Sequence, residues 1–273
     1  MALVINTNLA SLAAQRHMNV SSNDMSQSME RLASGKRINS AADDSAGLGV
    51  SNSLNARITS LGQANRNAND AISLINLAEG ALDQVTSMLV RMRELAVQAV
   101  NGTYGAGDRD NMDLEFAALQ SEITRIAGNT YFNGIDVIGA SNTLTFQVGF
   151  ESTDTMTLTT QTMTATALDV DAADAGVDLA ASATSSLAAI DTAITTVDAY
   201  RGDLGSKANR LAYSSANLES RIENQSAARS RIMDADYAAE SANLARTQVL
   251  QQAGAAMLAQ ANASTSTVLS LLK

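Results

Sequence analysis

The sequence predicts a mainly α-helical protein, a long antiparallel coiled-coil rod with a small β-hairpin region at its far end. The chain of 273 residues has no proline and only 3% aromatic residues. No proline is therefore available to break a helix, and the core must be built from small aliphatic side chains. Apolar residues also recur at alternating steps of three and four along two long stretches, as coiled-coil seams require.

The first long stretch, residues 61–99, has the most regular heptad pattern. We predict one helix here, on the order of 60 Å long, which ends near the glycines of "NGTYGAGD". A shorter helix follows from about Asp108 and stops at "GNTYFNG". The apolar positions of the first helix are Leu61, Ala64, Ala68, Ile72, Ile75, Ala78, Leu82, Val85, Leu89, Met92, Ala96 and Ala99.

The pattern changes to strict alternation in "TLTFQVG" and "TMTLT", which flank "GFESTD". This change predicts a β-hairpin with one apolar face. Heptads resume from Leu187 to Ile232, and a helical stripe of smaller residues follows.

The element order is nearly symmetrical about the hairpin, so the two ends of the chain should pair. We therefore predict three regions: 1–42 with 230–273 as an inner coiled-coil domain, 43–140 with 184–229 as a helical rod domain, and 141–183 as a short hairpin and loop region.

Both ends of the chain are nearly neutral, and residues 241–273 contain no Asp or Glu. A soluble monomer normally keeps charged faces on its terminal helices. We therefore predict that the stripes at the two ends are buried against another surface. Their members are Ile5, Leu9 and Leu12 at the beginning, and Leu250, Gly254, Met257, Ala261, Val268 and Leu271 at the end.

Composition also narrows the function. A net charge of −10 argues against binding to nucleic acid, and the absence of cysteine rules out disulfides and thiolate sites.

The chain opens without a secretory signal pattern and has no apolar run long enough to predict a membrane span. We find no catalytic, metal or cofactor motif: His17 is the only histidine, and we interpret the Asp-rich run 169–178 as a solvated turn. Asn101-Gly-Thr103 matches a glycosylation sequon, which we attribute to chance.

The segment "GKRINSAADDSAG", residues 35–47, is predicted to be a joint between two helical segments. Ser40 and Asp43 have the spacing of a capping box, and Asp44 adds negative charge at the same helix N-terminus. Lys36 and Arg37 suit the C-terminus of the preceding helix.

Long motifs at both ends resemble bacterial flagellins. They are "VINTNLASLAAQ", "ERLASGKRINSAADDSAG", "QANRNANDAISLINLAEGAL", "RMRELAVQAVNGT" and "YFNG" in the first half, and "SRIMDADYAAESANLARTQVLQQAGAAMLAQAN" and "VLSLL" in the second. The resemblance covers roughly residues 1–150 and 185–273. The short middle indicates that the large outer domains of longer flagellins are missing.

The resemblance implies a structural subunit that polymerises into the flagellar filament for swimming, and that is not an enzyme and needs no cofactor. It further implies export through the flagellar type III channel to the outside of the cell, and terminal helices that pair as a coiled coil in the filament core. The partners it implies are other copies of the chain, sister flagellins, an export chaperone, the filament cap and the hook-associated proteins, with no nucleic acid or membrane partner.

The resemblance also implies recognition by an animal flagellin-sensing Toll-like receptor. The family motif for this contact matches "VRMRELAVQ", which places it on Arg91, Leu95 and Gln98, with Glu115 on the next helix. The first three are spaced to share one helix face. The same patch is expected to pack between subunits in a filament.

Two other functions remain as alternatives at this point. One is a hook–filament junction protein, which shares the terminal pattern of flagellins. The other is a free coiled-coil binding or signalling module, which would need charged residues beside the seam along its ends.

Overall fold

The computed structural model describes residues 7–171 and 176–270, with side chains up to Ser264. Within these ranges the helices are α1 (Leu9–Ser34), α2 (Ser45–Val100), α3 (Ala106–Asn129), α4 (Ala180–Met233) and α5 (Tyr237–Ser270). The strands are β1 (Tyr131–Phe132), β2 (Ile135–Asp136), β3 (Thr143–Gln147) and β4 (Thr155–Thr159). The predicted class, mainly α with a small β-hairpin region, is confirmed.

The predicted long helix is confirmed as α2. It ends at Val100, directly before Asn101-Gly102, where the sequence placed its end. Helix α3 then begins after Gly105, whose backbone N–H donates to the Asp108 side chain at 3.1 Å. This carboxylate in the first turn also suits the positive end of the helix dipole.

Two antiparallel hairpins follow α3. The predicted hairpin is confirmed as β3 and β4, in which Leu144 pairs with Leu158. The smaller hairpin of β1 and β2 was not predicted. Asn133 and Gly134 connect its strands with φ values of 50° and 79°. Asn-Gly adopts such left-handed pairs readily, and this type of turn matches the twist of two hairpin strands.

The chain forms two compact units, one of Met1–Ala56 with Asn224–Lys273 and one of Arg57–Glu223. We call the first the terminal unit and the second the central unit. The three regions predicted from the sequence have different boundaries and stay a prediction.

The core of the central unit is aliphatic and continuous. It joins α2, α3, α4 and the segments on either side of the β3–β4 hairpin. A second cluster of Leu61, Ala64 and Leu218 lies beside it, with Phe150 of the hairpin loop packed on it. Phe150 is held between the guanidinium groups of Arg57 and Arg221, at 5.2 and 5.4 Å from the ring centre. Both distances are within the range of cation–π attraction.

In the terminal unit, α1 packs against α5. Helix α1 begins at the Asn8 cap, whose side chain accepts the N–H of Ser11 at 3.1 Å, and ends at Gly35 with φ 70°. Gly35 fits there because it adopts the left-handed conformation without a steric penalty. Its carbonyl then accepts the N–H of Ala235 at 3.0 Å.

The segment 35–47 connects α1 with α2, but its capping differs from the prediction. Helix α2 begins at Ser45, so Ser40 lies too far upstream to be its N-cap. The N-cap is Asp44, because its Oδ1 accepts the N–H of Gly47 at 2.8 Å. Asp43 instead closes the preceding turn by accepting the backbone N–H of Ser40 at 2.9 Å.

Arg37 also has a different role from the one predicted. Its guanidinium donates to the carbonyl of Ile232 at 2.7 Å, so it stabilises the C-terminal end of α4 rather than that of α1. The role of the segment as a joint between domains stays a prediction.

Candidate functional site

The seam between α1 and α5 is lined by small and polar side chains together with a few larger aliphatic ones. Along α1, the buried or half-buried residues follow steps of three and four, as in a coiled coil. The members on α1 are Ser11, Ala14, Met18, Ser21, Met25, Ser28 and Leu32. The members on α5 are Glu240, Asn243, Leu244, Thr247, Gln251, Gly254, Leu258 and Ala261.

Polar contacts run along this seam. Ser21 Oγ donates to the carbonyl of Thr247 at 3.1 Å, and Asn8 Nδ2 donates to that of Ala261 at 2.9 Å. Near the other end, the hydroxyl of Tyr237 donates to a carbonyl of α1 at 2.8 Å. Each bond between neutral groups contributes only about 0.5–1.5 kcal/mol to stability, so the seam holds the helices together weakly.

Other large apolar side chains on these two helices stay exposed. Leu9 is 70% exposed and Met257 is 65% exposed. The others of this kind are Leu12, Val20, Met29, Val249 and Leu250. Apolar groups left in water in this number favour burial against another molecule.

The two predicted stripes are therefore divided by the structure. Gly254 and Ala261 lie in the seam, whereas the side chains of Leu250, Met257, Leu9 and Leu12 are exposed. Ile5 and Leu271 lie outside the described residues, and the side chain of Val268 lies outside the described side chains.

The proposed recognition patch on α2 and α3 is held together by ion pairs. Arg91 Nε donates to Glu115 Oε1 at 2.8 Å, and its Nη1 donates to Glu94 Oε2 at 2.9 Å. The hydrogen bond with Glu115, followed by that with Glu94, raises the pKa of Arg91 above its ordinary value. Gln98 is exposed on the same helix. The structure thus brings Arg91 and Glu115 together, as the sequence analysis supposed.

Leu95 does not belong to this surface. It is only 2% exposed and is part of the central core. The expectation that Leu95 lies on an accessible face was wrong, because α2 is covered by more than one partner element and its buried face is wider than a two-helix seam.

Sequence reasoning also missed the ion pairs between α2 and α4. Arg93 Nε lies 2.7 Å from Asp191 Oδ1, and Arg201 lies 2.6 Å from Glu79. The hydrogen bond to Arg93 lowers the pKa of Asp191. The sequence does carry opposite charges along α2 and α4, and these could have suggested the ion pairs. A charge pattern alone, however, does not show which helices face each other.

The described part of the chain contains no group of three or more metal-binding side chains. Residues 172–175 of the Asp-rich run lie outside the described residues. In the described ranges no helix is long and apolar enough to cross a membrane.

Comparison with known proteins extends these observations. The family model of the bacterial flagellin N-terminal helical region matches residues 5–143, and that of the C-terminal helical region matches residues 187–272. A flagellin of Halalkalibacterium halodurans is 42% identical over 272 residues, covering 99% of this chain and 100% of the relative. A Treponema pallidum flagellin is 38% identical over 286 residues, with 99% and 100% covered.

A solved structure is similar as well. The crystal structure of Bacillus cereus flagellin matches with a TM-score of 0.51 at 34% identity, covering 60% of this chain and 94% of that chain.

Paired helices with uncovered apolar side chains are typical of a structural protein that assembles with its own copies. The two family models and the full-length relatives show that this chain belongs to the bacterial flagellin family. It is a structural subunit of the extracellular flagellar filament, a homopolymer, and not an enzyme. The described residues contain no large central domain.

Proposed function

We propose that the chain enters the filament through the apolar side chains that α1 and α5 leave exposed. The supporting observation is that this helix pair buries serines in its seam and leaves the apolar side chains of Leu9, Leu250 and Met257 exposed to solvent. Neighbouring subunits cover these side chains, and the terminal residues 1–42 with 230–273 form the coiled coil of the filament core. Subunits related by a screw operation that does not close then produce an open helical polymer.

Substitution of Met257 tests this proposal. Met257→Ser removes apolar area that burial would stabilise by about 25 cal/mol per Å², so the critical concentration for polymerisation rises by about tenfold, which corresponds to ~1.4 kcal/mol. The monomer keeps its stability, because the side chain is exposed there. Sedimentation measures polymer and circular dichroism measures unfolding.

Gln260→Ser is the matched control, since Gln260 is an exposed polar residue on the same helix. It should leave polymerisation unchanged. Normal polymerisation of Met257→Ser would contradict the proposed surface. Removal of α5 from Leu250 onward is the stronger form of the test and should abolish filaments while the central unit still unfolds cooperatively.

The partners during assembly follow from family membership. We assign to this chain export through the flagellar type III channel, an export chaperone, addition beneath the filament cap, contact with hook-associated proteins, and co-assembly with sister flagellins. A pull-down from flagellated cells with the purified monomer, analysed by mass spectrometry, tests them. Recovery of none of these proteins would count against the assignment.

We further propose that Arg91, Glu115 and Gln98 form a patch that an animal flagellin-sensing Toll-like receptor recognises in the monomer. An arginine fixed in place by two carboxylates is a suitable anchor for an interface. Leu95 supports the patch from the core and does not contact the receptor. The same surface packs between subunits, so intact filaments should not signal.

A receptor-reporter assay on depolymerised protein tests the patch. Arg91→Ala should lower signalling by about tenfold or more, since truncation of an anchor residue costs ~2 kcal/mol or more. Arg125→Ala is the control, because Arg125 forms a comparable exposed ion pair with Glu122 on α3. Equal signalling by the two variants would remove Arg91 from the contact.

A further inference from the structure

The chain contains two Asn-Gly pairs, at Asn101-Gly102 and Asn133-Gly134, and both asparagines are exposed. In any Asn-Gly pair the backbone nitrogen of the glycine can attack the side-chain carbonyl carbon of the asparagine, because glycine has no side chain to obstruct it. Whether the attack occurs depends on how freely the backbone between the two groups rotates. The two pairs differ in this respect.

Asn101 lies in the short connection between α2 and α3, outside any strand pairing, and its N–H donates to the carbonyl of Gln98 at 3.2 Å. It follows the last residue of α2, and its own carbonyl accepts the N–H of Tyr104 in a long contact of 3.4 Å. Its side-chain Oδ1 accepts the backbone N–H of Thr103 at 3.2 Å. A donor at this oxygen lies where negative charge develops when the carbonyl carbon is attacked, and therefore favours the attack.

Asn133 lies in a turn that is fixed on both sides. Asn133 and Gly134 have φ values of 50° and 79°, and the flanking Phe132 and Ile135 are paired in the β1–β2 hairpin. Ring closure requires the backbone of the asparagine to leave this conformation. That rotation would undo the turn and the strand pairing that depends on it.

We propose that Asn101 is a site of spontaneous deamidation in the folded protein and that the β1–β2 turn protects Asn133. The nitrogen of Gly102 forms a bond to Cγ of Asn101, the bond from Cγ to Nδ2 breaks, and ammonia leaves with the proton from the Gly102 nitrogen. Water then adds to either carbonyl of the resulting succinimide ring and opens it. The products are aspartate or isoaspartate at position 101, and no co-reactant other than water is needed.

The modification changes the end of α2. Arg109 donates from Nε to the carbonyl of Ala99 at 2.8 Å and from Nη2 to that of Asn101 at 3.4 Å. A new carboxylate at position 101 lies at the negative end of the helix dipole, which is unfavourable. It also lies near the guanidinium of Arg109, which is favourable. Isoaspartate also adds one carbon to the backbone and displaces the carbonyl that Arg109 contacts. Aged protein is therefore a mixture of forms that differ at the α2–α3 connection.

Peptide mapping by mass spectrometry after incubation of the full-length protein in mildly alkaline buffer tests the proposal. In folded protein, conversion at Asn101 should exceed conversion at Asn133 by about tenfold or more, because the β1–β2 turn must open before the ring can close at Asn133. In urea, where the fold is lost, the two positions should convert at similar rates. Gly102→Ala should slow conversion at Asn101 in both conditions.

Two results would overturn the proposal. One is conversion of Asn133 as fast as that of Asn101 in folded protein. The other is an Asn101 that stays intact in folded protein over a period in which the unfolded chain converts. Asn101→Gln provides a further check, because the acidic species that isoelectric focusing resolves in aged protein should then be lost.

Discussion

The α1–α5 pair of the terminal unit and the α2–α4 pair of the central unit share heptad spacing but differ in what fills the seam. Helix α2 presents Leu61, Leu82 and Leu89, all fully buried. Helix α1 presents Ser11, Ser21 and Ser28 at equivalent steps. Heptad spacing alone therefore brings helices together, and the side chains at the seam decide whether the pair is stable by itself.

The central unit buries a continuous set of large apolar side chains, although others such as Leu114 and Val97 stay exposed. In the described part of the terminal unit almost all of them are exposed or half-buried. Apolar burial is the main favourable contribution to folding. The central unit therefore has a continuous core in one copy, and on the proposed assembly the terminal unit would gain stability when other copies cover it. Four substitutions test this difference between the two units, and they follow in order of decreasing expected effect.

Ile75→Pro should have the largest effect on the central unit. Proline in a helix interior costs about 3 kcal/mol or more, and the buried isoleucine is lost as well. We expect the thermal unfolding transition to fall sharply and filaments to be absent. Ile75→Val, with an expected cost of ~0.5–1.5 kcal/mol, is the control, and a similar transition for both variants would contradict the position of this helix in the core.

Leu89→Ala should lower the free energy of unfolding by about 2–5 kcal/mol, because it leaves a cavity in the aliphatic core. The neighbouring Val90 is exposed, so Val90→Ala should change stability by less than about 0.5 kcal/mol. Urea unfolding followed by circular dichroism measures both. Equal midpoints would show that the aliphatic seam does not carry the stability of the central unit.

Ser21→Ala should cost only about 0.5–1.5 kcal/mol, the net contribution of one hydrogen bond between neutral groups. It removes the donor to the carbonyl of Thr247. Amide hydrogen exchange along α1 should become faster. Ser26→Ala is the control, because Ser26 bonds within its own helix at an exposed position, and a larger effect of Ser26→Ala would mean that the seam has been misplaced.

The smallest effect concerns acid sensitivity. Hydrogen bonds from the backbone of Ser40 and Asn39 lower the pKa of Asp43. A carboxyl whose folded pKa is depressed contributes stability above its unfolded pKa of ~3.9 and loses it as the pH falls further, through the lower folded pKa. Asp43→Asn should therefore reduce the difference in unfolding temperature between neutral and strongly acidic solution. An unchanged difference would contradict this role of the turn.

Much of the central unit could be predicted because large aliphatic residues mark its buried positions without ambiguity. The long helix, its end at Val100 and the β3–β4 hairpin followed from spacing alone. Leu95 could not be placed, because the width of a buried face depends on how many elements pack on the helix. This is a tertiary property, and one helix pattern does not contain it.

The terminal unit was harder to predict for a different reason. Helix α5 is rich in Ala and Gln, so several of its faces are equally plausible seams. The predicted stripe combined Leu250 and Met257, which are exposed, with Gly254, which lies in the seam and whose added Cβ would lie 3.9 Å from Met18 Cβ. The N-cap of α2 was also difficult to predict. The turn that Asp43 closes on Ser40 decides that Asp44, and not Ser40, lies at the start of the helix.

The small side chains between α1 and α5 also make axial sliding of one helix along the other inexpensive. A displacement by one heptad is about 10 Å. It moves Ser28 into the position of Ser21 and Met25 into that of Met18, so part of the seam presents the same side chains to α5 after the shift. Steric fit therefore distinguishes poorly between the two alignments.

Directional polar contacts must then fix the alignment. They include the hydrogen bonds from Asn8 to Ala261 and from Ser21 to Thr247, and the 3.8 Å ion pair of Arg31 with Glu240. The free energy of sliding is that of breaking these few contacts, which is small compared with the free energy that burial against neighbouring subunits would supply. On the proposed assembly we therefore expect the filament, rather than the single chain, to set the final alignment of α1 and α5.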